Sequence, residues 1–117
     1  MVALNLQLRN SGNAAIIEDM LSWASQGKQA AVNQAINMLE DLYINGHQSD
    51  YLKKLQNQPI WELKPHTRTG IKGGTRVYMY WRQDGSAAIC GGEIKEGDKA
   101  GRPLLEAVRF FNADDAV

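Results

Sequence analysis

The sequence predicts an α+β domain, a small twisted and mostly antiparallel sheet with a helical hairpin on one face and a further helix at the C-terminus. Three observations carry this. Large apolar and polar side chains alternate in residues 2–8 and again in 75–82, the period of a strand. Apolar side chains recur at helical spacing between residues 14 and 45, interrupted once, at Gly27. Asp84-Gly85 is a tight-hairpin signal, and Pro103 stands where a proline opens a helix. The expected order is β-α-α-β-β-β-α, in a single domain spanning residues 1–117.

Each element has its own warrant. In residues 2–8, Val2, Leu4, Leu6 and Leu8 share one face of a short strand. Asn13 is placed to cap the first helix, in which Ile16, Met20 and Trp23 recur with helical period. Residues 28–45 form the clearest helix, with Val32, Ala35, Ile36, Leu39, Leu42 and Tyr43 as its stripe. Gly46 stands at its C-terminal stop. Residues 48–59 are polar and read as a turn with Tyr51, Leu52 and Leu55 as packing points. Residues 60–64 are a strand, and residues 65–74 a loop bounded by proline and glycine. The β-branched and aromatic run at 75–82 is a second strand of this half. Residues 86–94 are a third, made of small side chains, in which Gly91-Gly92 mark a bulge or a close backbone approach. Leu104, Leu105, Val108 and Phe111 form the apolar face of the last helix, with fraying expected from Asn112.

Composition narrows the class of function. A hydrophobic fraction of 44% in 117 residues is enough for one core, so the chain is expected to fold. No apolar run approaches the roughly 20 residues of a membrane span, and no secretory leader is read at the N-terminus. One cysteine, Cys90, excludes an internal disulfide and points to a reducing, cytoplasmic setting. Neither His47 nor His66 lies in a metal-spaced cluster, so no metal or other cofactor is expected.

The net charge is zero, but it is unevenly spread. Residues 51–82 carry seven cations against Glu62 alone. Residues 1–50 carry two cations against five acids, and residues 83–117 four against seven. A local anion-binding surface is therefore possible in a neutral chain. Strand period places Arg76, Tyr78, Tyr80 and Arg82 on one face and Val77, Met79 and Trp81 on the other. The first set, cations flanking phenols, suits a phosphate-bearing polymer. The competing explanation is an ordinary solvated sheet face with Arg side chains lying over Tyr rings.

Several of these motifs, in this order, resemble the RelE/ParE toxin superfamily, and within it the HigB-like, phage-derived branch. They are Trp61-Glu62-Leu63-Lys64, then Gly74-Thr75-Arg76-Val77-Tyr78-Met79-Tyr80, then Ile94-Lys95, Lys99, Pro103 and Leu105-Glu106-Ala107. The match covers about residues 52–109. The resemblance implies a RelE-like fold and the toxin of a bacterial toxin–antitoxin pair. It implies a ribosome-dependent, metal-independent endoribonuclease in which the ribose 2′-hydroxyl of the messenger attacks the adjacent phosphate. It implies an antitoxin protein, messenger RNA and the ribosome as partners, with no membrane and no small-molecule cofactor. Arg76, Lys95, Lys99 and His66 are then the catalytic candidates. Arg76 would neutralise charge on the scissile phosphate, and His66 would exchange a proton near neutral pH. Arg68, Lys72, Lys64, Tyr78, Tyr80 and Arg82 are the RNA-binding candidates. Glu96 replaces the second lysine of the family's pair, and Leu104 stands near a tyrosine that many RNA-cutting relatives carry. The alternatives are a non-catalytic RNA- or protein-binding member of the same fold and a ParE-like inhibitor of gyrase.

Overall fold

The computed structural model describes residues 1–66, 74–97 and 99–114. It is an α+β fold of three helices and a five-stranded mixed sheet. In chain order these are β1 (Leu4–Leu6), α1 (Ala15–Ser25), α2 (Gln29–Asn45), β2 (Leu52–Lys54), β3 (Trp61–Leu63), β4 (Gly74–Trp81), β5 (Ala87–Lys95) and α3 (Arg102–Ala113). The sheet order is β1-β5-β4-β3-β2, with β1 parallel to β5 and every other pairing antiparallel. Among the described residues no helix is long and apolar enough to cross a membrane.

One strand exceeds the expected set. Residues 48–59 are not merely a turn, because β2 pairs antiparallel with β3. Lys53 and Lys54 hid it, since an edge strand can carry exposed cations in place of alternation. Asn57, at φ 61°, turns the chain back, and the Leu55 amide donates to the Ile60 carbonyl at 3.1 Å. The Asp84-Gly85 hairpin forms as expected. Gly85 takes φ 87°, and the Asp84 carboxylate accepts from both the Ser86 amide (2.9 Å) and hydroxyl (2.6 Å).

The helical hairpin covers one face of the sheet. Ile16 and Trp23 of α1 and Val32, Ala35, Met38 and Leu42 of α2 pack on Leu63, Val77, Met79, Ala87 and Ile89. The stripe of α2 is turned from the expected one: Met38 is buried, while Ile36 and Tyr43 are exposed. Gly46 ends α2 with φ 56°, and its amide donates to the Leu42 carbonyl. Helix α1 starts without the expected cap, since Ala14 occupies the capping position and no side-chain cap hydrogen bond is made.

The second face is covered as well, by α3. Ala107, Leu104, Val108, Phe110 and Phe111 pack on Ile60, Tyr78, Tyr80, Ala88 and Cys90. Tyr78 and Tyr80 are fully buried, and the Tyr80 ring meets Phe111 edge-on at 5.3 Å. The expectation of an open Tyr78/Tyr80 face is corrected here. These rings are core, and burying each contributes on the order of 2 kcal/mol. Leu105, expected in the apolar stripe of α3, points outward. The helix runs past Asn112 to Ala113, and Asp114 accepts the Tyr80 hydroxyl at 2.6 Å.

Strand β5 contains the irregularity that Gly91-Gly92 suggested. Val77 pairs with Gly92 and Met79 with Ile89, so β5 carries one residue more than β4 across this step. Gly92 lies against the hairpin. A Cβ there would stand 2.5 Å from the Arg76 carbonyl oxygen and 3.1 Å from the Trp23 ring. Gly92→Ala is therefore expected to lower unfolding free energy by about 2 kcal/mol, as overpacking does. Gly97→Ala, where an added Cβ meets nothing, should stay within about 0.5 kcal/mol. Urea denaturation of both variants measures the contrast. Burial pushes the Cys90 thiol well above its ordinary range. Cys90 should accordingly resist a thiol reagent at pH 8 in the folded protein and react fully once the chain is unfolded.

Candidate functional site

The extra residue in β5 decides which side chains meet. Ile89 faces the hairpin, so uninterrupted alternation would send residues 91, 93 and 95 the same way. The bulge inverts the order. Gly92 and Ile94 turn to the hairpin, and Glu93 and Lys95 turn to the α3 side, where Arg76 and Tyr78 already point. Glu62 and Lys64 join them from β3 and the residue beyond it by the same period of two.

The result is a hydrogen-bonded polar cluster at the end of the sheet beside the start of α3. Arg76 pairs across the strands with Glu93, and Glu62 with Tyr78. The Tyr78 hydroxyl donates to Glu93 at 2.8 Å, and burial together with this carboxylate pushes the phenol far above its ordinary range. The phenol thus remains a donor at any physiological pH. The Gly101 amide, just before α3, donates to both Glu93 oxygens at 3.0 Å. Arg76 Nη1 donates to the Thr75 carbonyl at 3.1 Å, and Arg76 Nε lies 3.8 Å from Glu62. Both members of that ion pair have side chains only 7% exposed, so removal of either strands a buried charge.

The sequence-predicted residues do not all come together. Arg76, Lys64 and Lys95 share this end and face of the sheet. Lys99 lies exposed in the segment between β5 and α3. His66 lies exposed at the β2–β3 side, its ring tilted against Tyr51 at a centroid distance of 5.5 Å. It shares a cleft of about 290 Å3 with Lys53, Lys64 and Asp50. Tyr78 and Tyr80 are enclosed under α3 and present no ring for base stacking, a correction to their expected role. Arg82 sits at the opposite end of β4, about 20 Å along the strand from Arg76. There its Nε lies 3.3 Å from Asp114, which separates it from the Arg76 cluster. Arg68 and Lys72 lie outside the described residues.

Sequence reasoning missed the counter-charges. Glu62 was visible only as an exception in a cationic segment, and Glu93 only as a polar residue in a strand of small ones. The signal that would have found Glu93 is the glycine pair: a bulge there reverses the parity of every later residue in β5. Among the described residues no group of three or more His, Cys, Asp or Glu side chains could hold a metal ion. The arrangement offers buried polar groups on the same sheet face as the partly exposed Lys64 and Lys95, which make no ion pair among the described residues. That suits holding an anion; Arg76 is ion-paired with Glu62 at 3.8 Å, and its buried Nε has no hydrogen-bond acceptor among the described residues.

The sequence matches no family model and no curated protein.

Arg76→Ala is expected to destabilise the fold by about 3 kcal/mol, because Glu62 is left buried without its cation. The double variant Glu62→Ala/Arg76→Ala should recover part of that loss, leaving a coupling energy above about 1 kcal/mol in a double-mutant cycle. Thermal or urea unfolding of the four proteins reads it out.

Proposed function

We propose that this chain is the toxin of a type II toxin–antitoxin pair, with a RelE-like fold of the HigB-like kind. Its activity is ribosome-dependent, metal-independent cleavage of messenger RNA in the cytoplasm. The observation that carries this reading is the gathering of Arg76, Lys64 and Lys95 on one face of the sheet end. Those residues belong to the motifs that resemble the family, and the bulge brings Lys95 to the same side as Arg76. The helical hairpin on one sheet face and the C-terminal helix support it at the level of the α+β plan, to which β2 adds a strand.

The chemistry follows from the groups at that end. Lys64, Lys95 and Lys99 are free to contact backbone phosphates and give the binding its salt dependence. His66, exposed beside Lys64 and Lys53, is the candidate general acid–base group. Arg76, held by Glu62 and the Thr75 carbonyl, supplies a fixed positive charge beneath the bound phosphate. A cognate antitoxin would restrain the toxin until it is needed.

One observation favours a second reading. An arginine buried against a carboxylate contributes little net field outside, and Glu96 and Leu104 depart from the RNA-cutting pattern. A non-catalytic RNA-binding member of the fold has the same cations and needs no free guanidinium.

Induced expression tests both readings. The wild-type chain should arrest growth and leave cleaved messenger on ribosomes. Lys64→Ala/Lys95→Ala, two partly exposed positions, should melt as the wild type does and lose at least about tenfold in RNA affinity at low salt. Growth arrest with uncut, bound RNA selects the second reading. A harmless wild-type chain that binds no RNA sinks both, and inhibited supercoiling would point to gyrase instead.

A further inference from the structure

A second surface lies away from this cluster, between α3 and the turn that follows β1. Two adjoining cavities of about 510 and 550 Å3 share Arg9, Glu106 and Arg109 and together form a groove along α3. One wall is α3 from Arg102 to Ala113, about 16 Å at the helical rise, room for roughly three turns of a second helix. The other is the turn carrying Leu8, Asn10 and Ser11.

The groove's chemistry is uneven in a telling way. Its carboxylates are consumed internally. Arg9 holds Glu106 through two hydrogen bonds at 2.8 and 2.9 Å and approaches Glu18 at 3.6 Å. Arg102 lines the first cavity alone and Arg109 lies where the two join; both are exposed and make no ion pair among the described residues. Between them on α3 Leu105 is 60% exposed, and in the second cavity Leu8 is 59% exposed. Two guanidinium groups without an ion pair among the described residues thus flank Leu105, and the second of them shares its cavity with Leu8.

We infer that this groove docks an acidic amphipathic helix of a protein partner. The partner's apolar stripe would lie on Leu105 and Leu8, with carboxylates about two turns apart meeting Arg102 and Arg109. Two leucines more than half exposed, with Phe110 the one aromatic lining residue and only partly exposed, favour protein here over RNA, which needs stacking platforms. The inference is independent of the activity proposed for the Arg76 end.

The probe is a fluorescein-labelled synthetic helix about three turns long, with leucine along one face and glutamate elsewhere, compared with its lysine-for-glutamate counterpart. Fluorescence anisotropy should show saturable binding of the acidic helix only. Amide shifts in labelled protein should map to residues 8–11 and 102–113. Arg102→Glu/Arg109→Glu should weaken binding by at least about tenfold with an unchanged melting temperature. Leu105→Glu should do the same, whereas Lys53→Glu, on β2, should bind as the wild type. The inference is overturned if the acidic helix does not bind or the lysine helix binds as well. It is equally overturned if charge reversal leaves affinity intact, or if a uridine oligonucleotide displaces the helix and shifts the same amides.

Discussion

The hydrogen bond from the Gly92 amide to the Asp19 carboxylate, 2.9 Å long, is the contact on which the rest of this molecule turns. Strand β1 is short, and its pairing with β5 ends near Ile89. Beyond that point the backbone donors of β5 on the β1 side have lost their strand, and a buried donor left unpaired costs about 1–3 kcal/mol. Asp19, reaching over from α1, takes the place of the missing strand. Burial pushes its carboxyl above the usual range, while the Gly92 amide and Arg9 pull it down.

Arg9 extends that contact to the opposite layer. Its guanidinium meets Asp19 of α1 on one side at 3.0 Å and Glu106 of α3 on the other. The helices on the two faces of the sheet are therefore tied through one side chain at the sheet's edge. Gly91 makes this possible, since a Cβ there would stand 2.5 Å from Asp19 Oδ2 and 3.2 Å from Arg9 Nη2. The same stretch holds the bulge, so the tie and the reversal of strand parity occur in the same few residues. Everything after it in β5, including the placing of Glu93 and Lys95, inherits that reversal.

The layered α+β plan was legible because it rests on periodicity: the alternation of β4, the helical repeats of α1 and α2, and the Asp84-Gly85 turn are all local. What was not legible is what depends on contacts across the fold. Strand β4 shows both of its faces apolar or aromatic enough for burial, yet period two alone does not say that α3 will cover Tyr78 and Tyr80. Ile36 and Tyr43 fit a helical stripe as well as Met38 does, and only packing against the sheet selects among them. Strand β2 is too short and too cationic to announce itself. At the candidate site the cations were visible, but Glu62 and Glu93 were not recognised as their partners, because pairing is set by register. Arg76 therefore looked free in sequence and is engaged in the fold.

The most direct test of this account is a nuclear Overhauser experiment on labelled protein, centred on Gly92. Contacts are expected from the Gly92 α-protons to the Trp23 indole and the Ile16 methyl, with a Glu93 contact to the Tyr78 ring. Contacts to Trp23 from Gly91 instead, with Glu93 on the hairpin side, would mean an unbulged strand. Lys95 would then lie on the opposite face from Arg76, and the site built on their meeting would not exist.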